Sequence, residues 1–181
     1  MKIGVILGSI RTGRFGKGVA DWIMDQVALR EDEGVHFELI DLKEFNVPLL
    51  DVETVPGAAN KHYADKNVTA WSHAIDSCDA FVLITAEYNH GVPGALKNAY
   101  DVLGGEWRGK PVGFVSYGAA QGIRAVEQWR QIVANFNQFD VRAQLSFSTF
   151  TDVRDGRFNP NERSSAELDN LLAALISAAK R

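Results

Sequence analysis

Apolar residues gather in five short runs: Lys2–Leu7, Val35–Asp41, Ala80–Thr85, Pro111–Ser116 and Val141–Phe147. Runs of this length, rich in Val, Ile, Leu and Phe, predict buried strands. The stretches between them carry a different period. Val19, Ile23 and Val27 share one helical face, as do Leu96, Ala99, Tyr100 and Leu103. Ala125, Trp129, Ile132, Val133 and Phe136 line another, and Leu168, Leu171, Leu172, Leu175, Ile176 and Ala179 line the last. A further helix is expected over about Asn67–Ser77. Pro93 suits a first helical position, where its missing N–H leaves nothing unpaired. Ser164 and Glu167 have the spacing of a capping box at the start of the last helix. Two stretches lack either period, Leu42–Lys66 and Arg154–Asn161, and are expected to be surface loops.

Strands separated by helices imply parallel pairing through right-handed crossovers. The expected fold is therefore α/β, a single-domain three-layer sandwich over residues 1–181 around a five-stranded parallel sheet. Five strands suit the flavodoxin-like order 2-1-3-4-5 better than the six-stranded dinucleotide order.

Bulk composition narrows the partners. At 181 residues, 46% hydrophobic and 23% charged, the chain can bury a full core. Its net charge of −4 disfavours nonspecific contact with nucleic acid or an anionic membrane. No apolar run approaches the roughly 18 residues of a membrane span. The first strand begins at Lys2, which leaves no room for a signal peptide and suggests a cytoplasmic protein. The one cysteine, Cys78, excludes an internal disulfide and sits where a buried structural thiol is expected.

In an open α/β sheet, ligands bind beyond the carboxyl ends of the strands. The loop after the first strand reads Gly8-Ser9-Ile10-Arg11-Thr12-Gly13-Arg14-Phe15-Gly16-Lys17-Gly18. Glycines, hydroxyls and cations ahead of a helix are what a phosphate needs: free N–H groups, a helix N-terminus and a guanidinium. Neither the P-loop nor the dinucleotide fingerprint fits, because Gly18 follows Lys17 and Asp21 stands where a third glycine belongs. A monophosphate held by Ser9, Arg11, Thr12 and backbone amides remains. The loop after the third strand, Thr85–Gly94, brings Tyr88, Asn89 and His90 beside it. Hydrogen-bonding groups and an aromatic flank suit the edge and face of a flavin ring. The fourth strand ends in Ser116-Tyr117-Gly118-Ala119-Ala120-Gln121-Gly122, a third loop on the same shelf. No catalytic triad is supported, and the four histidines have no metal-ligand spacing.

Three motifs in order resemble the NADPH-dependent FMN reductase family: Gly8-Ser9-Ile10-Arg11 with Gly13-Arg14-Phe15-Gly16, then Glu87 through Asn98, then Ser116-Tyr117-Gly118 with Gly122. One departure is Ala86, where that family usually has proline. The resemblance implies FMN as cofactor, NADPH or NADH as co-substrate, and a small-molecule electron acceptor. It implies that Ser9, Arg11, Gly16 and Lys17 hold the phosphate and that Phe15 is also cofactor-binding. Glu87, Tyr88, Asn89 and His90 would line the isoalloxazine ring, with Ser116 and Gly118 along its far side. It further implies a homodimer or homotetramer, for which Lys97, Asn98, Asp101 and Trp107 are the interface candidates. Arg14 is open between a 2′-phosphate and solvent. The competing readings are a flavodoxin-type electron carrier without turnover of its own, and a flavin-free scaffold.

Overall fold

The computed structural model describes residues 1–181. Five parallel strands, β1 (Lys2–Leu7), β2 (His36–Asp41), β3 (Ala80–Ala86), β4 (Val112–Gly118) and β5 (Asp140–Ser148), pair in the order β2-β1-β3-β4-β5. This is the flavodoxin-like arrangement. Pairing puts Ile6 beside Ile40, Val5 beside Val82, Ile84 beside Val115, and Val115 beside Leu145.

Because side chains alternate along a strand, each strand feeds two cores. Val5, Leu7, Val82, Ile84 and Val115 face α1 (Phe15–Ala28) and α6 (Ser164–Ala179), meeting Val19, Ile23, Leu171 and Leu175. Ile6, Phe81, Leu83 and Phe114 face the other way, toward α3 (Lys66–Asp76), α4 (Gly94–Asp101) and α5 (Ile123–Val133), where Trp71, Ile75, Leu96 and Trp129 fill the space. Every residue of β3 is buried, as a central strand covered on both faces requires.

Several local expectations are corrected. Pro93 is the N-cap of α4 and Gly94 its first helical residue, so the proline lies one position earlier than expected. The Ser164–Glu167 capping box does not form. Asn161 builds the preceding turn instead, its carbonyl accepting from Ser164 N at 3.1 Å and its side chain from Arg163 N at 2.9 Å. Ser164 thereby becomes the first helical residue and its hydroxyl is buried without a partner. The Leu42–Lys66 stretch holds a short helix, α2 (Leu42–Phe45), capped by Asp41, and a 3-10 turn at Pro56–Ala58. Arg154–Asn161 contains most of a hairpin, β6 (Val153–Arg154) with β7 (Arg157–Phe158). Phe158 anchors it in the core against Phe147, ring centroids 4.8 Å apart. Trp107 is 3% exposed and stacks on Tyr100 at 4.6 Å, which removes it as an interface residue.

The strand order decides where a ligand can sit. From β1 the chain moves to one side for β2 and to the other for β3. The loops after β1 and β3 therefore diverge and leave a crevice between them. Gly8 lies at its root. A Cβ there would stand 2.9 Å from Ile84 O and 2.4 Å from Leu96 Cδ2, so no larger residue fits.

Candidate flavin site

The β1–α1 loop is built as an anion cradle. None of the backbone N–H groups from Ser9 to Gly16 donates a hydrogen bond within the protein. They precede the 14-residue helix α1, whose N-terminus favours negative charge. Arg11 is exposed on the loop, whereas Ser9 is 2% exposed. The Ser9 hydroxyl lies 3.2 Å from Tyr88 Oη and so joins this loop to the next. Arg14 is not left to solvent. Its guanidinium is 11% exposed, pairs with Asp41 at the end of β2, and donates to Ser9 O. It pins the cradle to the sheet. Lys17 turns outward and pairs with Asp21 one helical turn on. Gly16 leaves room for a neighbour: a Cβ there would stand 2.5 Å from Tyr117 Oη. Burial pushes the Tyr117 phenol up from its ordinary value.

The β3–α4 loop folds back on itself within two residues. Tyr88 N donates to Gly91 O and Gly91 N to Tyr88 O, both at 3.0 Å. Asn89 (φ 49°) and His90 (φ 70°) between them are left-handed, which is a type I′ turn. Asn and His tolerate that region better than most side chains. The Asn89 and His90 N–H groups have no partner in the protein, so two donors are presented side by side. Glu87, 6% exposed in its side chain, pairs with Arg124 and accepts from Arg124 N at 3.2 Å, at the start of α5. His90 Nδ1 lies 3.1 Å from Arg124 Nη1.

The β4–α5 loop turns through Gln121 (φ 61°) and Gly122 (φ 72°). Ser116 is fully buried and its hydroxyl donates to Gln121 O at 2.7 Å. It shapes the loop from behind and does not reach the crevice. Gly118 does.

Among the residues singled out by sequence, Ser9, Arg11, Arg14, Phe15, Glu87, Tyr88 and Gly118 line one cleft of about 220 Å³. Gly16, Lys17, Asn89, His90 and Ser116 lie outside its lining. Tyr117, Ala119 and Thr149 line it and were missed. Thr149 follows β5, whose pairing with β4 already placed its loop on this edge. The cleft is smaller than the ~300–1,000 Å³ of most small-molecule pockets. A cleft of this size would take only one end of a ligand as large as a flavin nucleotide. The residues present fit FMN: its phosphoryl group would meet the unpartnered N–H groups and Arg11, and its ring the free amides at Asn89 and His90. Ala86, the departure from the family pattern, ends β3, is buried and lines the cleft beside Glu87.

Residues 1–152 match the family model of NADPH-dependent FMN reductases. The chain belongs to that family. It is 35% identical over 157 residues to an NAD(P)H-dependent FMN reductase of Nectria sp, covering 84% of this chain and 78% of the relative. It is 29% identical over 139 residues to a quinone reductase of Escherichia coli, covering 74% and 69%. Its fold matches the flavoenzyme NAD(P)H:acceptor oxidoreductase of Paracoccus denitrificans with a TM-score of 0.74 at 19% identity, over 99% of this chain and 97% of that one. The protein is thus an oxidoreductase that works with FMN and NAD(P)H.

Proposed function

We propose that the reductase seats the FMN phosphate on the Ser9–Gly16 amides and Arg11, with the ring between the Tyr88–Gly91 turn and Gly118, and delivers electrons to a quinone-type acceptor. The observation that carries this reading is the unpartnered N–H run at the head of α1, joined through the Ser9–Tyr88 contact to a turn that offers two more free amides. When bound, FMN supplies the redox chemistry, taking electrons from NAD(P)H and passing them on. The chain's own residues bind, orient and exclude water. Ser9 and Arg11 hold the phosphoryl oxygens. Phe15 and Tyr88 wall the cleft, and Gly16 lets Tyr117 close against the cradle. Glu87 stays paired to Arg124 and keeps α5 against the turn. Asn89 and His90 act through their amides and edge groups. Lys17 and Ser116 serve the scaffold, the first by its pair with Asp21 and the second by tying down Gln121. The quinone assignment leans on the relatives named quinone reductase.

Assembly as a homodimer or homotetramer belongs to the same reading. Ile10, Leu49, Leu50, Val52 and Val55 are exposed apolar residues that a second copy of the chain would cover. Ile10 and Leu49 line a cavity of about 400 Å³, and Leu49, Leu50 and Val52 one of about 700 Å³ under the Leu42–Lys66 stretch. A cytoplasmic location, where NAD(P)H is at hand, completes it.

The test compares FMN with riboflavin. Arg11→Ala should weaken FMN about tenfold or more, since a charge-assisted contact contributes roughly 1.5–3 kcal/mol. Riboflavin should bind the variant as it binds the wild type. Equal losses for both flavins would remove Arg11 from the phosphate. Steady-state NADPH oxidation with a quinone checks turnover, and its absence in FMN-loaded protein would leave only an electron carrier.

A further inference from the structure

We infer that Gln128 and Arg124, one turn apart on α5, are positioning residues that clamp the Tyr88–Gly91 turn in its flavin-ready shape before any flavin binds. The inference rests on the flavin reading above and concerns two residues that no motif singled out. The Gln128 side-chain amide ties the inside of the turn to the residue that follows it. Its Nε2 donates to His90 O at 2.9 Å and its Oε1 accepts from Val92 N at 3.2 Å. It also lies against the backbone between them, since a Cβ built on Gly91 would stand 3.1 Å from Oε1. Arg124 holds the entry side. Its guanidinium and its backbone N both engage the Glu87 carboxylate, and Nη1 meets His90 Nδ1 at 3.1 Å. Arginine only donates, so Nδ1 accepts and the imidazole proton sits on Nε2 in this contact.

These contacts hold something that needs holding. Asn89 and His90 are consecutive non-glycine residues with positive φ, a backbone state that persists only where the surroundings over-determine it. The turn has just two hydrogen bonds of its own, both between Tyr88 and Gly91. Residues four apart on a helix share a face, so α5 meets Glu87, His90, Gly91 and Val92 as one rigid edge. A protein whose competent loop is populated only in a fraction of molecules binds its ligand weaker by that fraction. Releasing the clamp should therefore show as lost flavin affinity, with the chemistry of bound flavin little changed.

The test is Gln128→Met, of similar length and without polar atoms, beside Gln128→Glu, which keeps the acceptor for Val92 N and loses the donor to His90 O. The reporter is amide exchange at Gly91 in the flavin-free protein, because its N–H bonds Tyr88 and not Gln128. Gln128→Met should raise Gly91 exchange and weaken FMN, each about tenfold, while kcat at saturating FMN changes less than twofold. Gln128→Glu should fall between the two. Unchanged Gly91 exchange in both variants overturns the clamp, and so does faster exchange with wild-type FMN affinity. A wild-type chain that binds no FMN at micromolar concentration overturns the flavin reading itself, a result distinct from either.

Discussion

Arg14 is the residue whose removal separates scaffold from substrate recognition most cleanly. Its guanidinium and the Asp41 carboxylate are 11% and 9% exposed, so each is largely withdrawn from water. Replacing Arg14 by Met leaves Asp41 with the Lys43 N–H at 3.0 Å as its remaining partner. Breaking a buried pair from one side typically costs ~3–5 kcal/mol, mostly the penalty of the orphaned charge. The residual exposure and the Lys43 bond put Arg14→Met at the low end, about 3 kcal/mol. For a chain of this length that lowers Tm by roughly 6–12 °C. The companion is Arg14→Met with Asp41→Asn, which keeps an acceptor for Lys43 N and removes the charge. It should recover more than half of the loss. Thermal and urea unfolding of the four proteins of the cycle measure both quantities. A single-variant loss under about 1 kcal/mol, or a double variant as unstable as the single, would refute the buried-charge argument. The functional arm is independent. Since the guanidinium is committed to Asp41 and Ser9 O, the ratio of kcat/KM for NADPH and NADH should not move in Arg14→Met. A selective loss with NADPH would mean that Arg14 leaves Asp41 for the 2′-phosphate.

Gly16→Ala places a Cβ 2.5 Å from Tyr117 Oη. Overpacking of ~1–3 kcal/mol should exceed the ~1 kcal/mol regained in helix propensity, and a variant as stable as wild type by urea unfolding would contradict this. Glu106 is fully buried without a cationic partner and accepts from Tyr63 Oη at 2.8 Å, Ser72 Oγ at 2.6 Å and Gly104 N at 2.9 Å. Glu106→Gln turns an amide donor onto one of these donors and should cost about 1–3 kcal/mol, read by denaturant midpoint. Burial acts to raise the Asp76 carboxyl, but the hydrogen bond from Lys61 and the charge of Lys110 outweigh it and hold it below its usual 3.8. The folded state thus favours the carboxylate, so wild type should be more stable than Asp76→Asn above about pH 3.8, with the advantage fading as pH falls through the lowered value and shrinking in salt. Burial pushes the Cys78 thiol up and covers it. A thiol reagent should react at the rate of unfolding in buffer and promptly in urea; prompt reaction in buffer would place the thiol at the surface.

The periodic parts of the chain were legible because burial imposes their periods. β3 carries an unbroken apolar run since helices cover both its faces, and α6 repeats leucine at helical spacing since one side of it is core. Where a segment is too short for a period, the signal fails. β6 and β7 have two residues each, with Arg154 and Arg157 between them and the solvent, and only Phe158 hints that the segment packs. The Ser164–Glu167 spacing was sound as a pattern, but the two backbone donors the box would use went elsewhere, Ser164 N to Asn161 O and Glu167 N to Arg163 O. Trp107 shows the limit of residue type alone. A large aromatic beside polar residues reads equally as interface or core, and its stacking on Tyr100 decides for the core.

Loop positions at the site followed from topology, and side-chain directions within the loops did not, with one instructive exception. Val115 and Tyr117 share a face of β4 with α1, while Phe114 faces α5. Alternation therefore sends Ser116 to the α5 side, away from a cradle built on α1. The period that predicted the strand already contained the reason to replace Ser116 by Tyr117 among the lining residues. The Arg14–Asp41 pair had no such signal. Its partners are 27 residues apart on elements that meet only once β1 and β2 are side by side. The contacts of Gln128 belong to the same class, because they are made to the backbone of a turn whose left-handed residues no spacing rule identified. What sequence leaves out at this site is thus specific: the polar contacts that hold loops in place, as distinct from the groups those loops present. A variant series confined to motif residues would test the presenting groups and miss the ones that hold them.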